Sequence, residues 1–196
     1  MTEDSLIYTT KTQKITAASI FGAISLVSAF SAAYIPRLPG WGFALFDPVS
    51  IIWIVAFLIF GITVGITTSL LGTLGLMYFD PTGIGPFMKL IATLPMMLIP
   101  WIFFKYYSSK TEDISSDYIL KFKIYTISMI FALIVRLALM IPLNLIIVPL
   151  FFSDSWPPLA IMEYTMMLNI IQWTGDAWIP YLVVVKSTLR NSFKYW

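Results

Sequence analysis

The amino-acid sequence predicts an all-α membrane protein of six transmembrane helices, with the N and C termini both cytoplasmic. Three observations lead there. Of 196 residues, 59% are hydrophobic and 11% charged, against about a quarter charged in soluble domains. The apolar residues fall in runs of about 18 or more, long enough to cross a hydrocarbon core of about 30 Å. Lys and Arg gather in three segments that six crossings bring to one side. A small chain in water buries the smallest share of its surface, so it cannot hide this much apolar area. Lipid removes that difficulty.

The elements follow in order. The first apolar run spans 15–35 and is ended by Pro36 and Pro39. The segment 43–79 holds one charge, Asp47. As a single helix it would be about 55 Å long, too long for one crossing. It therefore splits at Gly61–Gly65 into helices 43–61 and 63–79, joined by a tight turn. Helices 86–104, 122–152 and 159–185 complete one integral domain over 1–196. Residues 1–14 carry Glu3, Asp4, Lys11 and Lys14 without a signal-peptide pattern, so the mature chain is expected to begin at Met1.

Charge tests the split. Lys11, Lys14, Lys105, Lys110, Lys121, Lys123, Lys186, Arg190 and Lys194 make nine of the twelve bases. Six crossings put all nine on the cytoplasmic side, whereas five would turn the Lys-rich 105–123 loop outward. The loops 36–46, 80–86 and 153–158 then face outward. Trp41 and Trp156 in them suit either the lipid–water interface or a lid over an outward-facing pocket.

The chain has no His and no Cys. That excludes disulfides, Cys/His metal sites and Ser–His or Cys–His nucleophile pairs. Neither a P-loop nor a catalytic dyad is present, and no basic stripe supports nucleic-acid binding. The sequence thus points to no catalytic residue, no metal site and no cofactor.

Two stripes interrupt the apolar runs. Ala18, Gly22, Ser25, Ala29 and Ala32 share one side of helix 1. Small residues allow close helix approach in lipid, against this chain's own helices or against a partner. Thr165, Asn169, Gln172, Trp173 and Asp176 share one side of helix 6. Amides and a carboxylate must point away from lipid tails, either as interhelical hydrogen bonding or as a polar ligand site with an aromatic wall. On helix 5, Arg136 lies well inside the span at a depth similar to Asp176, so the two are expected to pair. Pro142 and Pro149 are expected to kink or end that helix. Asp47, Asp80, Lys89 and Glu163 fall on the outward side near the polar stripe, to snorkel or to line a pocket.

Six short helices in under 200 residues resemble the substrate-binding S components of energy-coupling-factor (ECF) vitamin transporters, over nearly the whole chain. Ala18-x-x-x-Gly22 overlapping Ser19-x-x-x-Ala23 resembles the family's Ala-x-x-x-Ala motif. Phe46-Asp47-Pro48-Val49-Ser50 is similar to the start of helix 2 in riboflavin-binding members. Val148-Pro149-Leu150-Phe151 resembles their Leu-Pro-Leu-Tyr, with Asn144 nearest the Asn that precedes it, one position out of register. Met167-Leu168-Asn169-Ile170-Ile171-Gln172 resembles their Pro-Phe-Asn-Leu-Ile-Lys, with Gln172 in place of Lys.

The resemblance implies an importer subunit of the plasma membrane that is not itself catalytic. It would capture a vitamin, riboflavin foremost, at the outer face. It would then work with a transmembrane coupling protein and two ATPase subunits. Asp47, Lys89, Asn144, Thr165, Asn169, Gln172 and Trp173 would meet the ligand, with Trp173 stacking on it or packing beside it. Pro39, Gly40, Trp41 and Gly42 would form the gating loop, and Ala18, Gly22, Ser19 and Ala23 would dock the coupling protein. From other classes, a membrane scaffold would use the polar stripe only as glue. An ion or proton-coupled carrier would need more core acids than Asp176 and Glu163.

Overall fold

The computed structural model describes residues 11–33, 48–80, 82–109, 118–151 and 156–187. It contains six helices: α1 (Lys11–Ala33), α2 (Pro48–Phe60), α3 (Ile62–Phe79), α4 (Ile84–Ser108), α5 (Phe122–Phe151) and α6 (Pro158–Lys186). No strand occurs among the described residues. Residues 43–47, expected to open the second helix, lie outside the described residues, as does the loop 36–46.

The break between the second and third helices falls at the expected glycine. Gly61 alone separates α2 from α3, at φ 92°. That backbone conformation is open to glycine and strained for residues bearing a Cβ. Gly65 lets the two helices close on each other, since a Cβ there would lie 2.7 Å from Phe57 Cβ. Several helices outrun their apolar cores: α1 begins at Lys11 rather than 15, and α4 covers 84–108 rather than 86–104. Backbone hydrogen bonding does not stop where the side chains turn polar. Pro86 sits in the first turn of α4, where its missing N–H leaves no broken bond. Pro142 and Pro149 do not end α5, which runs through both to Phe151.

Side-chain contacts set the directions. Gly22 meets Leu71, Leu26 meets Gly75 and Phe30 meets Tyr78, so α1 and α3 run parallel. Tyr125 bonds the Ala177 carbonyl and Tyr181 the Leu120 carbonyl, so α5 and α6 are antiparallel. Phe103 touches Phe131 and Tyr107 touches Tyr118, so α4 and α5 are antiparallel. One end of the bundle therefore gathers Lys11, Lys14, Lys105, Lys121, Lys123 and Lys186.

The helix that is apolar all round is central, as its pattern requires. α2 packs against α1, α3, α4 and α6, and ten of its thirteen residues are buried. The exterior is the inverse of a water-soluble protein. Ile15, Val27, Leu74, Ile134, Ile146 and Leu150 are exposed, while Ser25, Ser50, Thr93, Arg136, Asn169 and Asp176 are buried. Lipid is the solvent that makes this arrangement favourable. Four helices are long and apolar enough to cross a membrane, within 11–30, 62–79, 84–108 and 122–151. α2 is apolar but only about 20 Å long; α6 has the length and carries the polar stripe. The chain is a helical membrane protein.

Candidate functional site: a buried arginine cluster

Four helices bring one polar cluster together in the middle of the bundle. Its hub is Arg136 on α5, 1% exposed. Its Nη1 lies 3.1 Å from Asp176 Oδ2 on α6, the expected ion pair. Nε donates to Asn169 Oδ1 at 2.8 Å and Nη2 to Gln172 Oε1 at 2.9 Å. Nη1 also reaches Met96 Sδ on α4 at 3.3 Å. The planar guanidinium fork can serve several acceptors at once, and the spacing of Asn169, Gln172 and Asp176 along one side of α6 matches it.

The carboxylate has a second anchor. Ser50 Oγ on α2 donates to Asp176 Oδ1 at 2.6 Å. The same hydroxyl accepts from Lys89 Nζ on α4 at 3.4 Å, and Lys89 stands 5.8 Å from the centroid of the Trp53 ring. Ser50 and Asp176 are each about 15 Å along the axis from the last residue of their helices, and the hydrogen bond between them sets α2 and α6 level at this point.

The helix 6 stripe divides in two. Its inner part, Asn169, Gln172 and Asp176, is committed to Arg136. In its outer part Thr165 is 2% exposed, and its hydroxyl is buried without a hydrogen-bond partner among the described residues. The Thr165 carbonyl accepts from Asn169 Nδ2 at 2.8 Å. Asn144 repeats that pattern two turns from Arg136 on the buried side of α5, with Nδ2 donating to the Met140 carbonyl at 2.8 Å.

Some of the other candidate residues sit apart from the cluster. Trp173 does not join the cluster: Nε1 donates to the Met129 carbonyl at 3.0 Å, about 10 Å along α5 from Arg136, and the half-buried ring packs on the main core. The α5–α6 interface thus offers a carbonyl for the indole N–H. Of the four charges expected on the outward side, Lys89 reaches the cluster. Asp80 instead shapes the turn into α4, accepting from Thr82 N and Oγ1 and from Gly85 N, and Glu163 is exposed. Asp47 and the gating-loop residues Pro39, Gly40, Trp41 and Gly42 lie outside the described residues.

The small-residue stripe of α1 faces inward. Ala18, Gly22, Ser25 and Ala29 are buried. A Cβ on Gly22 would lie 2.5 Å from Leu71 Cδ1, and Ser25 Oγ accepts from Trp53 Nε1 at 2.7 Å. Ala18 and Gly22 are therefore buried in contacts within the chain. Ser19 and Ala23 remain exposed, and the Ser19 hydroxyl donates to its own helix at the Ile15 carbonyl.

Sequence reasoning missed Ser50 and Met96. Ser50 had a signal: it is the one hydroxyl in the apolar stretch 48–60. Met96 had none, because a thioether in an apolar helix looks like core.

No protein-family model matches the chain, and no curated protein sequence matches it.

Proposed function

We propose that the chain is the substrate-binding S component of an ECF-type ATP-driven importer in the plasma membrane. It captures a vitamin, riboflavin foremost, at the outer face and delivers it inward with a coupling protein and two ATPases, which hydrolyse the ATP. The observation that carries this reading is the cluster built by four helices around Arg136. Ionisable side chains deep in a membrane bundle are rare and costly, and they mark substrate and ion pathways. Arg136 holds Asn169, Gln172 and Asp176 in place, so the outer rung with Thr165 and Asn144 is where a ligand with hydrogen-bonding groups fits. The buried Thr165 hydroxyl supplies a donor and acceptors. Support also comes from the family resemblance of the helix order and local motifs.

Titration of the purified chain in nanodiscs with a vitamin panel tests the reading, by calorimetry and by quenching of riboflavin fluorescence. One member of the panel is expected to bind at submicromolar concentration. Thr165→Val is the informative variant. It removes a hydroxyl with no partner among the described residues, so thermal stability stays within about 1 kcal/mol. Loss of a ligand hydrogen bond should weaken binding by about tenfold. Absence of binding by every vitamin tried would sink the proposal.

One observation favours a second reading, a membrane scaffold: Arg136 satisfies Asn169, Gln172 and Asp176 within the chain. A scaffold binds no vitamin and keeps its partners in Thr165→Val. Asn169→Leu and Gln172→Leu do not separate the readings, because both strip acceptors from Arg136 and disturb the fold in either case.

A further inference from the structure

The Lys-rich end of the bundle lies remote from the Arg136 cluster. Lys105 closes α4, Lys121 and Lys123 flank the start of α5, and Lys186 closes α6; all four are exposed. None has an acidic partner among the described residues. The connecting segment 110–117 contributes Lys110, Glu112, Asp113 and Asp117 in sequence and lies outside the described residues.

Aromatic rings lie beside two of these lysines. Lys105 Nζ stands 5.3 Å from the Trp101 ring centroid and Lys121 Nζ 4.7 Å from that of Tyr118. Tyr118 in turn packs on Tyr107 at 5.2 Å, joining the end of α4 to the start of α5. Phe122 stacks on Trp178 at 5.7 Å, joining α5 to α6. Beside the lysines the surface turns apolar, with Ile102 50%, Phe122 63% and Leu182 50% exposed.

We propose that this end binds the headgroup of an anionic phospholipid, at a site formed by Lys105, Lys121, Lys123 and Lys186. The charge is complementary: four ammonium groups, without carboxylate partners among the described residues, face a phosphate diester bearing a net negative charge. Lysine suits phosphate as a point charge. Tyr and Trp rings sit at headgroup depth, where one edge is apolar and the other wet. The exposed Ile102, Phe122 and Leu182 accept the acyl chains. A free anion would use the lysines and leave those three residues uncovered, whereas a phospholipid uses both.

The test is native mass spectrometry of the full chain released from nanodiscs of phosphatidylcholine doped with phosphatidylglycerol. The retained lipid should be enriched in phosphatidylglycerol over its bulk fraction. An anionic surface contributes about 1 kcal/mol per nearby lysine, equivalent to about fivefold for each one removed. The quadruple Lys→Gln variant should bring the ratio to the bulk value, while Lys11→Gln/Lys14→Gln should keep most of the enrichment. Single Lys→Gln variants and a salt series on the unaltered chain give the same answer if the quadruple variant does not insert. Raising salt from about 0.1 M to about 1 M cuts the screening length from about 10 Å to about 3 Å and should erase the preference. Equal retention of both lipids by the unaltered chain would overturn the proposal. So would a preference that survives the four substitutions or high salt. Loss of a soluble protein partner with lipid retention unchanged would make this a protein interface, and the proposal would fail.

Discussion

Arg136→Ala is expected to lower the unfolding free energy by about 3–5 kcal/mol, the usual effect of breaking a buried ion pair from one side. The substitution strands the Asp176 carboxylate with the Ser50 hydroxyl as its remaining direct partner. It also removes the donor that Asn169 Oδ1 and Gln172 Oε1 share. Each buried acceptor left unmade adds its own desolvation penalty. The double variant Arg136→Ala/Asp176→Ala should be more stable than Arg136→Ala, because it removes the stranded charge as well. Thermal unfolding followed by tryptophan fluorescence in one detergent decides the order. Equal melting temperatures for the single and double variants would argue that the pair carries no net coupling. Arg136→Lys should fall between, since an ammonium keeps the charge but cannot span Asn169, Gln172 and Asp176 with one planar fork.

The second large effect is expected at Gly72→Ala, far from any charge. A Cβ there would lie 2.1 Å from Ser25 Oγ and 2.4 Å from Trp53 Nε1. Trp53 Nε1 donates a hydrogen bond to Ser25 Oγ, and both side chains are fully buried. Neither can swing aside, so α1, α2 and α3 must separate. Overpacking of about 1–3 kcal/mol then adds to a lost hydrogen bond of about 1 kcal/mol. Gly75→Ala is the control. Its Cβ would lie 2.4 Å from Leu26 Cδ2, the tip of a flexible side chain that is 38% exposed. Leu26 can rotate into lipid, so the loss should stay below about 1 kcal/mol. Similar melting temperatures for the two alanine variants would contradict this account of the α1–α2–α3 junction.

Much of the site is legible in the sequence. Arg136 and Asp176 stand out because a charge inside an apolar run must find a partner, and counting residues from the helix ends puts them at a similar depth. The helix 6 stripe stands out because 3.6-residue spacing projects Asn169, Gln172 and Asp176 onto one side. The same spacing cannot say what faces that side. Trp173 follows Gln172 and shares the stripe's spacing, yet its N–H finds the Met129 carbonyl. Ser50 enters the cluster because α2 packs against α6 and brings its hydroxyl to Asp176.

Periodicity and run length are local properties, and they suffice to set the number of helices, their breaks and the faces that avoid lipid. The single glycine at Gly61 shows this, since the length of a bilayer crossing demands a break and only glycine relaxes at its backbone angles. Choice of neighbour is different, because it depends on shape matching between surfaces far apart in the chain. The α1 stripe of Ala18, Gly22, Ser25 and Ala29 could serve any close-packed partner. Packing within the bundle resolves it in favour of α2 and α3, where Gly72 leaves room for the Ser25–Trp53 hydrogen bond. Likewise the amides of α6 are bound to face something polar, and it is the arrival of α5 beside α6 that makes that something Arg136.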